Sequence, residues 1–306
     1  MEKLFFECEL VSPLFMYGAY QRRLELRAPS IKGSLRFWWR ASQAEKDISK
    51  LRAREGIIFG GTGFQVGPEK NSLEEDSDKT EGRSSFTIKV RHKKLNINRE
   101  KLLPHKSNNS TNAIVNTNFQ IELSYIRLPE NFTPTQLRAL VELTSLLGGL
   151  GKRSRRGFGS FRILRCNGEK SELAELKHED IMPHILKRLN ILSDNKYSLN
   201  NGVIELKKNP NSSYPYIESI YLGKTNGDLN TLLVKIGKSS SKNDSVYTGY
   251  SIKDERLASP EYVSLIKEEG GKFWPVITSL HVAFNPESKI TIGDDTRNEF
   301  REAILS

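Results

Sequence analysis

The stretch Gly148-Gly149-Leu150-Gly151-Lys152-Arg153-Ser154-Arg155-Arg156-Gly157-Phe158-Gly159-Ser160-Phe161 lies between a helical pattern and a strand pattern. It packs five glycines and four cations into the twelve residues from Gly148 to Gly159. Glycine takes φ > 0 freely and lets backbone N–H groups come close to a ligand. Lys152, Arg153, Arg155 and Arg156 add charge and forked donors that match phosphate oxygens. The natural guest is an oxygen-rich anion, and a polyanion ahead of a lone phosphate. The plain alternative is a solvated basic turn, but a merely soluble turn has no need of so many glycines. The motif is not a P-loop, because Gly151-Lys152 is followed by Arg153. Nor is it a dinucleotide fingerprint, which follows a strand and opens a helix.

The rest of the composition agrees with a polyanion partner. The chain has 306 residues, with 47 Lys+Arg against 37 Asp+Glu, a net charge of +10. The pI is about 9.4 and the mean hydropathy is −0.52. A basic excess of this size suits nucleic acid or an anionic surface and says nothing about fold. The length suits two domains or one large one. Cys8 and Cys166 are the two cysteines, which argues for a reducing compartment and against a disulfide scaffold. No secretory signal pattern and no run of about 18 apolar residues is visible, so the expectation is a cytoplasmic protein with no membrane partner.

Working outward from the glycine-rich stretch, Thr133-Pro134 opens the preceding helix, whose apolar face is Leu137, Leu140, Val141 and Leu147. Phe158 to Arg165 is the strand that follows. At the N-terminus, Leu4 to Val11 reads as a strand and Ala28 to Ala41 as a helix with Ser30 at its N-cap. Ile31, Leu35 and Trp38 form its core stripe, and Lys32, Arg36 and Arg40 a cationic stripe at i, i+4, i+8. On a one-sided helix Trp38 and Trp39 cannot both point inward, so one covers a neighbour or offers a face to a base. Phe86 to Leu95 and Phe119 to Leu128 are strands, while the acidic residues 66–84 and the polar residues 107–118 read as loops.

Residues 1–168 therefore follow the order βαββαβ, that of a ferredoxin-like domain, with first and last strands as neighbours. Cys8 and Cys166 then lie on adjacent strands as free thiols. Residues 169–306 read as a helix over 171–190 that Pro183 divides, a strand at Tyr216–Leu222, a short helix at Leu229–Ile236, a strand at Phe273–Phe284, and a last helix at Arg297–Leu305 capped by Asp294. No strand is visible after Leu305. The fold class is α+β, two ferredoxin-like (RRM-like) modules of which the second is degenerate.

Three stretches together resemble a known family. They are Glu25-Leu26-Arg27 leading into Pro29 to Arg40, the Phe59-Gly60-Gly61 run, and the Gly148 to Phe161 loop. They are similar to the RAMP superfamily of CRISPR proteins, and within it to the first RAMP subunit of the Cmr (type III-B) effector complex. Arg256-Leu257-Ala258-Ser259-Pro260 is also similar to a C-terminal motif of that subunit. The resemblance implies a non-catalytic subunit in antiviral defence near the guide 3′ region. It implies guide RNA and target RNA as ligands and other Cmr-complex subunits as partners. On that reading Lys32, Arg36, Arg40, Lys152, Arg153, Arg155 and Arg156 hold phosphates along one shared path. Trp39 and Phe158 offer stacking faces, and Gly149, Gly151 and Gly157 shape the loop.

The competing reading is a metal-independent RAMP endoribonuclease that processes guide RNA. It needs a general base and a general acid. The histidines are His92, His105, His178, His184 and His281, and none lies within the motif stretches. His105, in a basic loop, is the least poor candidate. No H-E-x-x-H, paired-cysteine or carboxylate metal pattern is present, so neither a metal nor a cofactor is expected.

Overall fold

Alternation decides the first element. Along Glu2–Leu10 the side chains of Leu4, Phe6, Cys8 and Leu10 are buried and those of Lys3 and Phe5 face out, which makes β1. The structure is a computed structural model. It describes residues 1–18, 20, 23–61, 82–106, 110–242, 245–252, 255–268, 270–283 and 294–306. After β1 come α1 (Ala28–Gln43), α2 (Ile48–Phe59), β2 (Thr87–Arg91), β3 (Ile97–Lys101), β4 (Ser110–Ile114), β5 (Asn118–Tyr125), α3 (Pro134–Leu147), β6 (Phe161–Cys166) and the short β7 (Glu169–Lys170). The second half carries α4 (His178–Ser193), β8 (Tyr197–Asn200), β9 (Val203–Leu206), β10 (Ile217–Leu222), α5 (Leu229–Lys242), β11 (Tyr250–Ile252), β12 (Glu255–Leu257), β13 (Glu261–Lys267), β14 (Phe273–Leu280) and α6 (Arg297–Leu305).

The result is a mixed α/β fold with antiparallel sheets. The first sheet runs β2-β5-β1-β6-β7 and the second β13-β14-β10-β9-β8. In the first, β1 is central, pairing antiparallel with β5 on one side and β6 on the other. Phe6 faces Cys166 and Cys8 faces Ile163, so the two free, buried thiols do sit on adjacent strands. The second sheet departs from the expected strand order. The place beside β10 is taken by β9, which precedes β10 in the chain.

Several local expectations need correction. α1 begins at Ala28 with Arg27 as its N-cap and Pro29 in its first turn, so Ser30 lies inside the helix and caps nothing. Trp38 and Trp39 are both fully buried. Their helix is covered on two sides: Trp38 meets Tyr262 of β13 edge-on at 4.9 Å, and Trp39 meets Phe59 of α2 at 5.9 Å. α2 was not anticipated. Asp47 caps it by accepting from the Ser49 and Lys50 amides at 2.9 and 3.1 Å, and Leu51, Glu55 and Ile58 form its buried face. Residues 110–114 are not loop but pair with β3. Pro183 sits inside α4 without dividing it. Asp294 does not cap α6; the neighbouring Asp295 accepts from the Arg297 amide at 3.0 Å. α3 forms as read, with a reciprocal Thr133/Gln136 capping box. Residues 66–81 of the acidic run, and Arg22, lie outside the described residues.

Two glycines with the same backbone conformation separate steric need from conformational need. Gly159 has φ +65°, and a Cβ there would stand 2.0 Å from the Leu150 carbonyl oxygen. Gly168 has φ +85° and nothing within 4 Å of a Cβ. Gly168→Ala should cost about 1–2 kcal/mol, the ordinary penalty of a left-handed residue. Gly159→Ala should cost about 3 kcal/mol or more, because overpacking against backbone adds to that penalty. Urea melts of the two variants side by side check the difference.

Candidate nucleic-acid interface

The glycine-rich loop is pinned along both edges. The Leu150 amide donates to Gly159 O at 2.9 Å and the Lys152 amide to Phe15 O at 2.8 Å. The Gly157 amide donates to Val263 O at 2.9 Å, and the Val263 amide to Arg155 O at 3.2 Å. The loop thus extends the β13 edge of the second sheet. Phe158 is 2% exposed and packs 5.3 Å from Phe15 in the core of the second half, so it is no stacking platform. A Cβ at Gly149 would meet Phe158 O at 2.4 Å, one at Gly151 would meet Phe15 O at 2.5 Å, and one at Gly157 would meet Leu233 at 3.1 Å. These glycines make room for the chain's own atoms, not for a ligand. A valine at Gly151 would therefore disturb the fold, not only a surface.

The cations divide by their surroundings. Arg156 is 9% exposed and its donors are engaged internally. Nη1 donates to Arg155 O and Glu261 O at 2.9 Å each, Nη2 to Thr248 O at 2.8 Å, and Nε to Ser240 Oγ at 2.6 Å. The helical stripe is likewise occupied. Arg40 donates to the buried Glu55 carboxylate at 2.8 and 2.5 Å, and Arg36 donates to the same group and to Gly60 O at 3.1 Å. Lys32 lies 5.5 Å over the Phe86 ring, and burial, then Arg36, pushes its pKa down. Trp39 is covered and offers no stacking face. Trp39 and Phe158 are buried in the core, Arg156 is bonded internally at the wall of the cleft, and Arg36 and Arg40 pair with Glu55 while remaining partly exposed.

What remains is a cleft of about 380 Å³ whose walls include Arg153, Ser154, Arg155, Tyr250, Leu257 and Ser259. The Arg256–Pro260 motif reaches the site through Leu257 and Ser259. Arg155 donates to Ser259 O, and its guanidinium stands 5.2 Å over Phe37 and 5.7 Å over Tyr262. Arg153 has φ +58°, and its Nε is buried with no hydrogen-bond partner among the described residues. Burial pushes the pKa of both arginines down. Exposed Lys152 stands 4.8 Å over the Tyr17 ring at the edge of this region. Of the cations in the motif, the structure therefore brings Arg153, Arg155 and Arg156 to the cleft, while Lys152 lies outside its lining.

Three aromatic residues beside these cations, Tyr17, Phe37 and Tyr250, were missed in the sequence. Tyr17 and Phe37 sit close to the quoted motifs and have polar or cationic neighbours; nothing in the sequence marked Tyr250. Glu55 was missed as well, although Leu51, Glu55 and Ile58 recur at i, i+4, i+7. Among the described residues no histidine lines the cleft. A Cβ at Gly237 would stand 2.4 Å from His105 Nδ1, so that ring is wedged against α5. Burial, then Arg153 and Lys106, pushes the His105 pKa down. His184 is bonded to Arg188, and His281 stacks on Tyr216 at 4.6 Å and pairs with Glu218 at 3.0 Å. Among the described residues no group of three or more His, Cys, Asp or Glu is placed to hold a metal ion, and no helix is long and apolar enough to cross a membrane.

A family model described as the RAMP superfamily matches residues 7–162. The chain is 30% identical over 187 residues to CRISPR system Cmr subunit Cmr1-2 of Pyrococcus furiosus, a match covering 53% of this chain and 96% of that protein. Its fold is similar to the crystal structure of Cmr1 from Pyrococcus furiosus in the apo form, with TM-score 0.63, 20% identity, and 99% and 96% of the two chains covered. It is similar also to a chain of the type III-B Cmr-beta complex bound to cognate target RNA and AMPPnP. There the TM-score is 0.60 and the identity 12%, with 99% and 97% covered.

The Glu55 cluster carries its own test. Burial alone raises the Glu55 pKa, but hydrogen bonds from Arg40 and Arg36 outweigh it and hold the carboxyl below its ordinary 4.5. A lowered folded pKa means stability that is present above about 4.5 and lost as pH falls through the folded value. Glu55→Gln should cost about 1–3 kcal/mol at pH 7 and much less at pH 3. Arg36→Ala should lower the melting temperature while RNA affinity stays within about twofold, since Nε and Nη1 are engaged by Glu55 and the Gly60 carbonyl. Melting curves and RNA titrations on the same samples decide the matter; lost affinity at unchanged stability would return α1 to the RNA path.

Proposed function

The chain belongs to the RAMP superfamily, and from that premise we propose that it is a non-catalytic RNA-binding subunit of a type III-B CRISPR (Cmr) effector complex. In this reading it contacts guide or target RNA near the guide 3′ region. The observation that carries the proposal is the cleft walled by Arg153, Arg155, Arg156 and Tyr250, with the Arg155 guanidinium framed by Phe37 and Tyr262. That set offers charge-assisted donors to a phosphate and an aromatic face to an unpaired base. The relative named as a Cmr subunit and the RNA-bound Cmr-beta complex of similar fold support the assignment.

The two sheets read as ferredoxin-like modules. In the first, β1, α1, β2, β5, α3 and β6 supply the six elements, and the neighbours β2-β5-β1-β6 are all antiparallel. In the second, β9 fills the slot of the missing last strand. RNA-recognition motifs stack bases on sheet aromatics. Here the outer face of the first sheet instead carries ion pairs. Glu122 holds Lys3 at 2.9 Å and Arg91 at 2.8 Å, and Glu9 holds Arg162 at 2.6 Å and Lys267 at 3.0 Å. Phe5 is the exposed aromatic there, with Lys3 5.7 Å from its ring. The RNA site moves from the sheet face to the cleft beside the glycine-rich loop.

Binding of a labelled single-stranded RNA tests this. The logarithm of the binding constant should fall against log salt with slope about −0.7 per phosphate neutralised. Arg153→Ala should weaken binding about tenfold and reduce the slope by about 0.7. Tyr250→Ala should lose about 1–3 kcal/mol of stacking with the slope unchanged. The RNA should stay intact with and without Mg²⁺, whereas its cleavage by the protein would favour the endoribonuclease reading. Wild-type affinity in both variants would remove RNA from the cleft.

A further inference from the structure

Burying a guanidinium without a counter-charge destabilises a fold, and elsewhere this chain supplies one. Arg188, the most buried of the paired arginines, holds Glu142 at 2.9 Å and Glu172 at 3.1 Å. Partly buried Arg297 holds Asp295 at 2.7 Å and Glu218 at 3.0 Å, and Arg162 holds Glu9 at 2.6 Å. Arg153 and Arg155 differ. Both are partly buried and both line the cleft, yet among the described residues neither pairs with a carboxylate. Burial lowers the pKa of each, and no carboxylate offsets it. Ser259 O and the faces of Phe37 and Tyr262 compensate Arg155 in part, but none of them carries a full negative charge. The described residues that line the cleft include no Asp or Glu; Ser154, Ser240 and Ser259 bring hydroxyls to it instead.

Two positive charges that lack counter-charges, two residues apart on one wall, match a dianion better than a monoanion. An internal RNA phosphate is a diester with a single negative charge. A phosphate at the end of a strand is a monoester, with a charge of about −1.5 to −2 at pH 7 and three strong acceptor oxygens. Two successive diesters would supply the same charge, but only by threading the strand through the site. The cleft holds about 380 Å³, near the low end of the roughly 300–1,000 Å³ of small-ligand sites, which is room for one nucleotide. Its walls are also bonded to one another. From the loop, Arg156 donates to Ser240 of α5 at 2.6 Å and to Thr248 O, ahead of β11, at 2.8 Å. Tyr250, on the wall that β11 supplies, offers a ring to the base of that one nucleotide.

We infer that the cleft is an end-binding site, which takes the terminal nucleotide of an RNA strand by its phosphomonoester, with Arg153 and Arg155 as the cations. The inference rests on the RNA-binding reading of the cleft and deepens it, from contact with a backbone to recognition of a strand end. A 3′-terminal and a 5′-terminal phosphate share this chemistry, and the test separates them.

The full chain is titrated with one short single-stranded RNA, labelled at an internal base, in three forms: hydroxyls at both ends, a 3′-phosphate, or a 5′-phosphate. At least one phosphorylated form should bind about tenfold more tightly than the hydroxyl form, and which one it is gives the polarity. The gain should fall to about twofold or less in Arg153→Ala. The milder Arg153→Gln should show the same loss if the alanine variant melts early, and Lys207→Ala/Lys208→Ala should keep the gain. Lowering the pH from about 7.5 to about 5 takes the monoester through its second pKa of about 6, so the gain should shrink on the acid side. Equal affinity for the three forms, weakened alike by Arg153→Ala, would overturn the end site and leave the cleft to internal phosphates. A gain that survives in both Arg153 variants would place the terminal phosphate elsewhere on this basic chain and overturn it too. If the wild type binds none of the forms, the RNA-binding reading itself falls and takes this inference with it.

Discussion

A guanidinium inside a protein must have its N–H groups satisfied or it destabilises what surrounds it. Arg156 meets that condition by bonding to the loop itself, to Ser240 of α5, to Thr248 before β11, and to the Glu261 carbonyl at the start of β13. Those partners come from both halves of the chain, so this one side chain sets the loop in register with the second sheet. Once it is set, Phe158 fills the core between β13, α5 and α6, and Arg155 reaches Ser259. Arg153 is left at the cleft wall. The Glu261 side chain is part of the same junction. Burial pushes its pKa to about 7 against the pull of Arg301, and Ser279 donates to it at 2.9 Å.

How much of this was legible follows from how far apart the interacting residues lie in the chain. α3 announced itself through Thr133-Pro134 and its apolar spacing because capping and amphipathicity are local. The pairing of β1 with β6 followed from element order. The glycines were seen but misread. Gly151 and Gly159 are shaped by Phe15 and Leu150, and nothing in sequence distinguishes a glycine that admits a phosphate from one that admits a distant carbonyl. Trp38 and Trp39 failed for a related reason. A one-sided helix forbids two buried neighbours, and the second side is supplied by α2 and by Tyr262, more than 200 residues on. The second sheet was obscure because β9 occupies its slot from the wrong end of the sequence order.

The candidate site was half legible. Arg153, Arg155 and Arg156 of the quoted loop do line one cleft. The error was to treat every cation in a motif as available. Arg36 and Arg40 stand on α1 at the spacing of an RNA-facing stripe, yet their counter-charge is Glu55, on a helix hidden in a charge-rich stretch where Lys50, Arg52 and Arg54 mask the apolar period. A cationic stripe is evidence for a polyanion only once the carboxylates that can reach it are known.

The cations that remain fall into two physical regimes, and the difference bears on how each would hold an anion. Between unit charges about 4 Å apart, attraction is about 1 kcal/mol in water and about 4 kcal/mol at the effective dielectric near a protein surface. Arg153 and Arg155 sit in the second regime, desolvated and framed by Phe37 and Tyr262. A phosphate there gains from each donor and is fixed in place. Lys93, Lys94, Arg99 and Lys101 sit in the first, fully hydrated. Cations of that kind would act on a polyanion mainly by releasing counterions, an attraction that fades with salt. Desolvated charge would fix a single anion in place, and hydrated charge would draw a polyanion in without fixing it.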